Sequence, residues 1–278
     1  MQDDEMKGPD IQPDHRIDAV LLTEVKLSNP NGDPDLEGRP RELRSTGQGL
    51  ITGVATKRRI RDTARIRHGV NLFVENEALE DRVEGLFDGE DDAPTTETID
   101  ERAWSEFWDV RMFGGTLSAV KIGDGDGVRG SQITGPWQVG MGKSLDPINI
   151  VDVGITRSVQ NTEGDQGTMG RQPVVEYGLY RQHMHYSPYA SYGDVEKTDL
   201  DVMWDALAWM HDHTRASMRP DVSWRGIYLI EHDNELGSMP AHRATDLIEV
   251  EGEPEDYTVT LPDEKPDGVT IHTLVHDG

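Results

Sequence analysis

No cysteine occurs in the 278 residues, which excludes disulfides, thiolate metal centres and thiol nucleophiles and fits a reducing compartment. No apolar run approaches the roughly 20 residues that cross a bilayer. The start, Met1-Gln-Asp-Asp-Glu-Met-Lys7, lacks the basic-then-apolar order of a signal peptide. A cytoplasmic protein without a membrane partner is therefore expected. Lysine is also scarce: seven against 20 arginines, in a chain with 53 acids and a net charge of −26. Many carboxylates with little lysine read as adaptation to a high-salt cytoplasm, where net charge maintains solubility. At about 1 M salt the Debye length is only ~3 Å, so long-range attraction fades. An anion must then be held by short, bidentate or stacked contacts, which favours arginine.

What is present is a local reversal of charge. Residues 39–67 hold nine cations (Arg39, Arg41, Arg44, Lys57, Arg58, Arg59, Arg61, Arg65, Arg67) against Glu42 and Asp62, a local charge of +7. The remaining 249 residues carry 18 basic groups and 51 acids, a net of −33. An acidic chain that gathers its cations in one stretch points to an anionic partner, and phosphate is the commonest polyanion.

A chain of this length can bury roughly three quarters of its unfolded surface, enough for one elaborated domain or two small ones. Residues 1–15 are polar and read as a loose tail. Arg16–Leu27 has strand content, and Asn29-Pro-Asn-Gly-Asp-Pro-Asp35 is turn chemistry. From Leu50 to His68 no proline intervenes; Gly53, Thr56, Ile60, Thr63 and Ala64 recur at helical spacing, with Lys57, Arg61 and Arg65 on a neighbouring stripe and Arg58 beside them. Short strands are expected at Val70–Val74, Ile133–Gly140, Ile148–Thr156, Val174–Leu179 and Trp224–Glu231. Helices are expected around Ile99–Trp108, from a Thr198 cap to Arg215, and at Pro240–Ile248. Tyr257–Leu261 and Val269–Val275 read as a terminal hairpin. This order is compatible with an α+β, ferredoxin-like β-α-β-β-α-β core with insertions.

Several motifs resolve to ordinary structure. Met141-Gly-Lys-Ser144 imitates the end of a phosphate loop, but Trp137 stands where that loop needs glycine. Asp124-Gly-Asp126 imitates a calcium loop, but Arg129 occupies its glycine position. His183/His185 and His211/His213 have no convergent carboxylates in sequence, so no metal and no cofactor is expected. Asp33, in the loop leaving the first strand, is the sharpest catalytic candidate, although Asn-Gly-Asp-Pro makes a good turn by itself.

With these segments in place, the chain resembles the crRNA-coating backbone subunit of type I-B and I-C CRISPR Cascade complexes, in the RAMP superfamily. The first strand, the Asn29–Asp35 turn and Lys57-Arg-Arg-Ile-Arg-Asp62 carry the likeness. It continues through Asp109-Val-Arg-Met-Phe-Gly114, Thr134-Gly-Pro-Trp-Gln-Val139, Ser144-Leu-Asp-Pro-Ile148, Ile155-Thr-Arg157, Tyr177-Gly-Leu-Tyr-Arg181 and Arg225-Gly-Ile-Tyr-Leu-Ile-Glu-His-Asp233. The resemblance implies an RRM-like palm (16–74 and 133–248), a helical finger insertion (75–132), a thumb loop (158–173) and a C-terminal hairpin (249–278). It implies a non-catalytic protein that polymerises along crRNA beside further copies of itself and other Cascade subunits, with target DNA read by base pairing to the guide in antiviral defence. Asn31, Arg39, Arg41, Arg44, Lys57, Arg58, Arg61, Arg65, Arg157 and Arg171 would contact RNA, and Met169 would be an apolar wedge. The alternative is RAMP-type cleavage of target RNA through Asp33.

Overall fold

A computed structural model describes residues 8–75, 78–88, 94–117, 119–120, 128–156 and 169–276. The principal elements in chain order are β1 (Ile17–Ser28), β2 (Gln48–Ile51), α1 (Gly53–His68), α2 (Thr96–Glu106), α3 (Trp108–Phe113), β3 (Trp137–Val139), β4 (Gly142–Pro147), β5 (Ile150–Thr156), β6 (Met169–Tyr186), α4 (Lys197–His213), β7 (Val222–His232) and β8 (Val269–His276). Eight strands form one antiparallel sheet in the order β8-β7-β1-β6-β4-β2, with β3 and β5 also paired to the long β6.

Strand β1 sits at the centre, between β6 and β7, and its sequence shows why. Ile17, Ala19 and Leu21 face α1 and α4, packing with Ile60, Ala64, Met203, Trp204 and Leu207. Val20 and Leu22 face the other way, into a cluster with Leu179, Tyr228, Ile230, Ala244, Ile248 and Tyr257. A strand covered on both faces reads as a continuous apolar run rather than an alternation, as Ala19-Val-Leu-Leu22 does. A separate core of Phe73, Val83, Phe87, Ile99, Ala103, Phe107, Val110, Leu117 and Ile133 holds the segment between α1 and β3 together.

Several expectations need correcting. Within the expected loose tail, residues 8–15 are docked: Ile11 is buried, Tyr186 Oη donates to the Pro13 carbonyl at 2.7 Å, and His15 Nδ1 lies 2.7 Å from Glu231. Val70–Val74 forms no strand, because its backbone is satisfied by a side chain; the Asp109 carboxylate accepts from Phe73 N at 2.6 Å and Val74 N at 3.1 Å. Ile133–Gly140 breaks at Gly135-Pro136. A Cβ at Gly135 would meet the Gly114 nitrogen at 2.3 Å, and proline donates no ladder bond. Helix α4 begins at a capping box of Glu196 and Asp199 rather than at Thr198.

The terminal hairpin is also overturned. Asp256–Thr260 pairs with Glu249–Glu253, whereas β8 pairs with β7 from Gly226↔His276 to His232↔Val269 and is an edge strand of the main sheet.

Candidate nucleic-acid interface

Asn29–Ile51 is a compact loop built on its own polar groups. Asn29 is buried, and its amide donates to the Gly38 carbonyl at 2.7 Å. Asn31 Oδ1 accepts from Thr52 N at 2.9 Å, tying the loop to the residue that caps α1 through its own hydroxyl. Asn31 is thus a clasp between loop and helix. Asp33 Oδ1 accepts from Asp35 N at 3.2 Å, and its Oδ2 lies 3.4 Å from Arg41. Arg39 faces Asp152 at 3.6 Å across to β5. Arg44, at the tip of the next turn, is exposed and makes no ion pair among the described residues.

Along α1 the cations divide by helical face. Lys57 is half-buried over the Phe113 ring, 5.1 Å from its centroid; burial and the neighbouring Arg61 lower its pKa. Arg58, half-buried, pairs with Asp62 at 3.0 Å, and Arg65, exposed, with Glu75 at 3.2 Å. Such surface pairs are worth little and open readily to a competing anion. Arg61 is different. It is 9% exposed, stacks 5.0 Å from the Phe113 centroid, and its Nε donates to Asp109 at 2.7 Å. It braces α1 against α3 instead of facing outward. Arg67 is likewise held by Asp205, at 2.5 Å.

Of the other expected contacts, Arg171 is exposed on β6, opposite Gly154 of β5. Arg157 and most of the expected thumb (158–173) lie outside the described residues, as does the Met169 side chain. Ser144 does not belong to a phosphate loop: it is buried in β4, its Oγ accepting from Gly49 N at 2.8 Å. His183 and His185 are drawn into the sheet's own hydrogen bonds, His183 with Arg181 at 3.1 Å and His185 with Asp18 at 2.6 Å. The Asp124–Asp126 turn lies outside the described residues. Sequence reading passed over Arg219, in the segment between α4 and β7. Its neighbourhood is made by tertiary structure, since Met218 O accepts from Asn29 N at 2.7 Å across most of the chain.

The protein is thus an α+β fold, a helix-backed antiparallel sheet with arginine concentrated on one helix and the loop before it. The family is shown by comparison with known proteins. The family model for CRISPR-associated protein Cas7 matches residues 15–266, and the chain belongs to that family. A Haloferax volcanii protein described as CRISPR-associated protein Cas7 is 32% identical over 112 residues, covering 37% of this chain. The match spans 33% of that relative's length. Among solved structures, a chain of a "CRISPR RNA-guided surveillance complex, pre-nicking" is similar with a TM-score of 0.49 and 14% identity, covering 77% of this chain and 78% of that one. A chain of a second CRISPR RNA-guided surveillance complex gives 0.46 and 14%, over 77% and 68%.

Proposed function

We propose that this protein is a crRNA-binding backbone subunit of a type I CRISPR Cascade complex, polymerising along the guide beside further copies of itself. The observation that carries the reading is membership of the Cas7 family across residues 15–266, with the chain's cations placed on α1 and the loop before it. The order β7-β1-β6-β4, with α1 between β1 and β4 and α4 between β6 and β7, supports a ferredoxin-like, RRM-like palm. The separate core between α1 and β3 supports a finger insertion. The thumb expected at 158–173 lies outside the described residues up to 168, and 169–173 begins β6.

Arg39, Arg41, Arg44, Lys57, Arg58, Arg65 and Arg171 hold guide phosphates, joined by Arg157 and with Met169 as a wedge. Single-stranded RNA is held in this way by a cationic surface with apolar contacts, which leaves base edges free to pair with target DNA. The subunit is non-catalytic in this reading. Engagement of both Asp33 carboxylate oxygens, one as a cap and one with Arg41, supports a structural role for that residue.

Binding of labelled single-stranded RNAs of differing sequence tests the proposal. Lys57→Ala/Arg58→Ala/Arg65→Ala should weaken binding at least tenfold, equally for every sequence. A loss confined to certain sequences would point to base readout instead. Cuts in complementary RNA that vanish with Asp33→Ala would overturn the non-catalytic reading.

A further inference from the structure

Arginines of this protein that leave the surface usually do so with a carboxylate. Arg61 lies on Asp109 at 2.7 Å, Arg67 on Asp205 at 2.5 Å, Arg111 on Asp199 at 3.0 Å and Arg16 on Asp18 at 2.9 Å. Arg59 breaks the pattern. It is 4% exposed, its guanidinium donates to the Pro30 carbonyl, and it makes no ion pair among the described residues. Burial, together with the neighbouring Arg219, lowers its pKa to about 10.

Arg219 is half-buried, with Nε lacking a partner among the described residues and one terminal nitrogen 3.3 Å from the Thr214 carbonyl. His211 of α4 is buried against the Trp224 ring, centroids 4.3 Å apart, and its Nε2 has no partner either. The cations that bear on His211 are Arg59, Arg219 and Arg215; Arg215 is exposed and pairs with Asp212 at 2.7 Å, while Arg59 and Arg219 make no ion pair among the described residues. A chain with 53 acids has therefore set a buried arginine, a half-buried arginine and a buried histidine, Arg59, Arg219 and His211, close together with no ion pair to an acid on any of them among the described residues.

An unpaired buried guanidinium costs free energy in the free protein, and an anion that enters returns it. The neighbourhood says which anion. Arg59 supports Pro30 from beneath, and Met218 O accepts from Asn29 N at 2.7 Å, so these groups underlie the base of the loop that carries Arg41 and Arg44. We propose that Arg59 and Arg219, with His211 beside them, form a socket for one backbone phosphate of the single-stranded RNA bound by the loop and α1. This rests on the RNA-binding reading above and adds residues which that reading left out. Guanidinium groups are suited to the task, because each presents a planar fork of donors to phosphate oxygens.

The test uses the full chain, a labelled single-stranded RNA and a series of KCl concentrations. Arg219→Gln should weaken binding about tenfold and flatten the slope of log affinity against log salt by about 0.7, the amount for one phosphate on a single strand. Arg59→Met should do the same while raising the melting temperature of the free protein by about 2 °C, because an uncompensated charge is gone. A purely structural Arg59 would give the opposite signature, a lower melting temperature with Arg219→Gln binding unchanged. Variants that bind as tightly and as steeply as a wild type that does bind RNA would overturn the socket alone. A wild type that binds no RNA would overturn both socket and function. If inorganic phosphate at matched ionic strength stabilises wild type but not Arg219→Gln, and RNA binding is equal in both, the socket takes free phosphate and the RNA assignment fails.

Discussion

Identity of a residue and its availability are separate facts in this protein. Lys57 and Arg61 share one helical stripe and look equivalent in sequence, yet Asp109 takes Arg61 into the interior and leaves Lys57 half-open. Nothing near Arg61 in sequence announces this, since Asp109 lies 48 positions away. The Asp18 carboxylate was equally hidden, in a strand that reads as plain apolar core. It is fully buried between β6 and β7, where it meets His185 Nδ1 at 2.6 Å, His232 Nε2 at 2.9 Å and Arg16 at 2.9 Å. His232 Nδ1 accepts from Ser238 N at 3.0 Å, so its proton sits on Nε2 and points at Asp18. Burial would push the Asp18 carboxyl up; the two histidine hydrogen bonds and the Arg16 charge outweigh it and hold it well below the usual carboxylate range. A carboxyl depressed in the folded state contributes stability that is fully present above its unfolded pKa, about 4, and is lost as pH falls towards the folded value. Urea melts of wild type and Asp18→Asn should therefore differ most from pH 5 to 7, with the gap narrowing steadily below about pH 4. A gap independent of pH would show that Asp18 matters for packing alone.

At the scale of elements, periodicity located most of the fold. The strand at β1, the small-residue stripe of α1 and the apolar stripe of α4 (Leu200, Met203, Trp204, Leu207, Met210) all lie where their spacing put them, because each buries a continuous face. The terminal hairpin failed through pairing. Tyr257–Leu261 and Val269–Val275 both read as strands, and proximity suggested that they pair with each other. The partner of β8 is instead β7, some 40 residues upstream, and no local signal encodes that choice. The apolar residues Ile227, Leu229 and Ile230 of β7 are fully buried beside an edge that β8 covers. Truncation after Leu261 should expose that edge as an unpaired, apolar template, the setting for edge-to-edge aggregation. The truncated chain should collect in the insoluble fraction, or elute as large species at high salt. A monomeric product with an unchanged melting temperature would show that β8 is an appendage.

For the whole molecule, the reversal of charge at 39–67 overstates what is free to act. Of its nine cations, Arg61 and Arg67 are held by Asp109 and Asp205, and Arg39, Arg41, Arg58 and Arg65 each face an acid. Arg44, Lys57 and Arg59 make no ion pair among the described residues. Counterion release scales with the number of phosphates neutralised, at about 0.7 per contact on a single strand. If all nine cations gripped phosphate, log affinity would fall with log salt at a slope of about −6. The seven cations assigned to guide phosphates give about −5 once the surface pairs of Arg39, Arg41, Arg58 and Arg65 open, whereas about three unpaired cations alone would give about −2. The same salt acts on the fold in the other direction. A net charge of −26 repels itself, and screening relieves that repulsion. Between ~0.1 and ~2 M KCl, spanning Debye lengths from about 10 Å to under 3 Å, the melting temperature should rise while RNA affinity falls with a slope of about −5. A slope near about −2 would mean that the surface pairs stay closed and only the unpaired cations grip the RNA, whereas the steeper slope makes the intramolecular carboxylates placeholders for the guide.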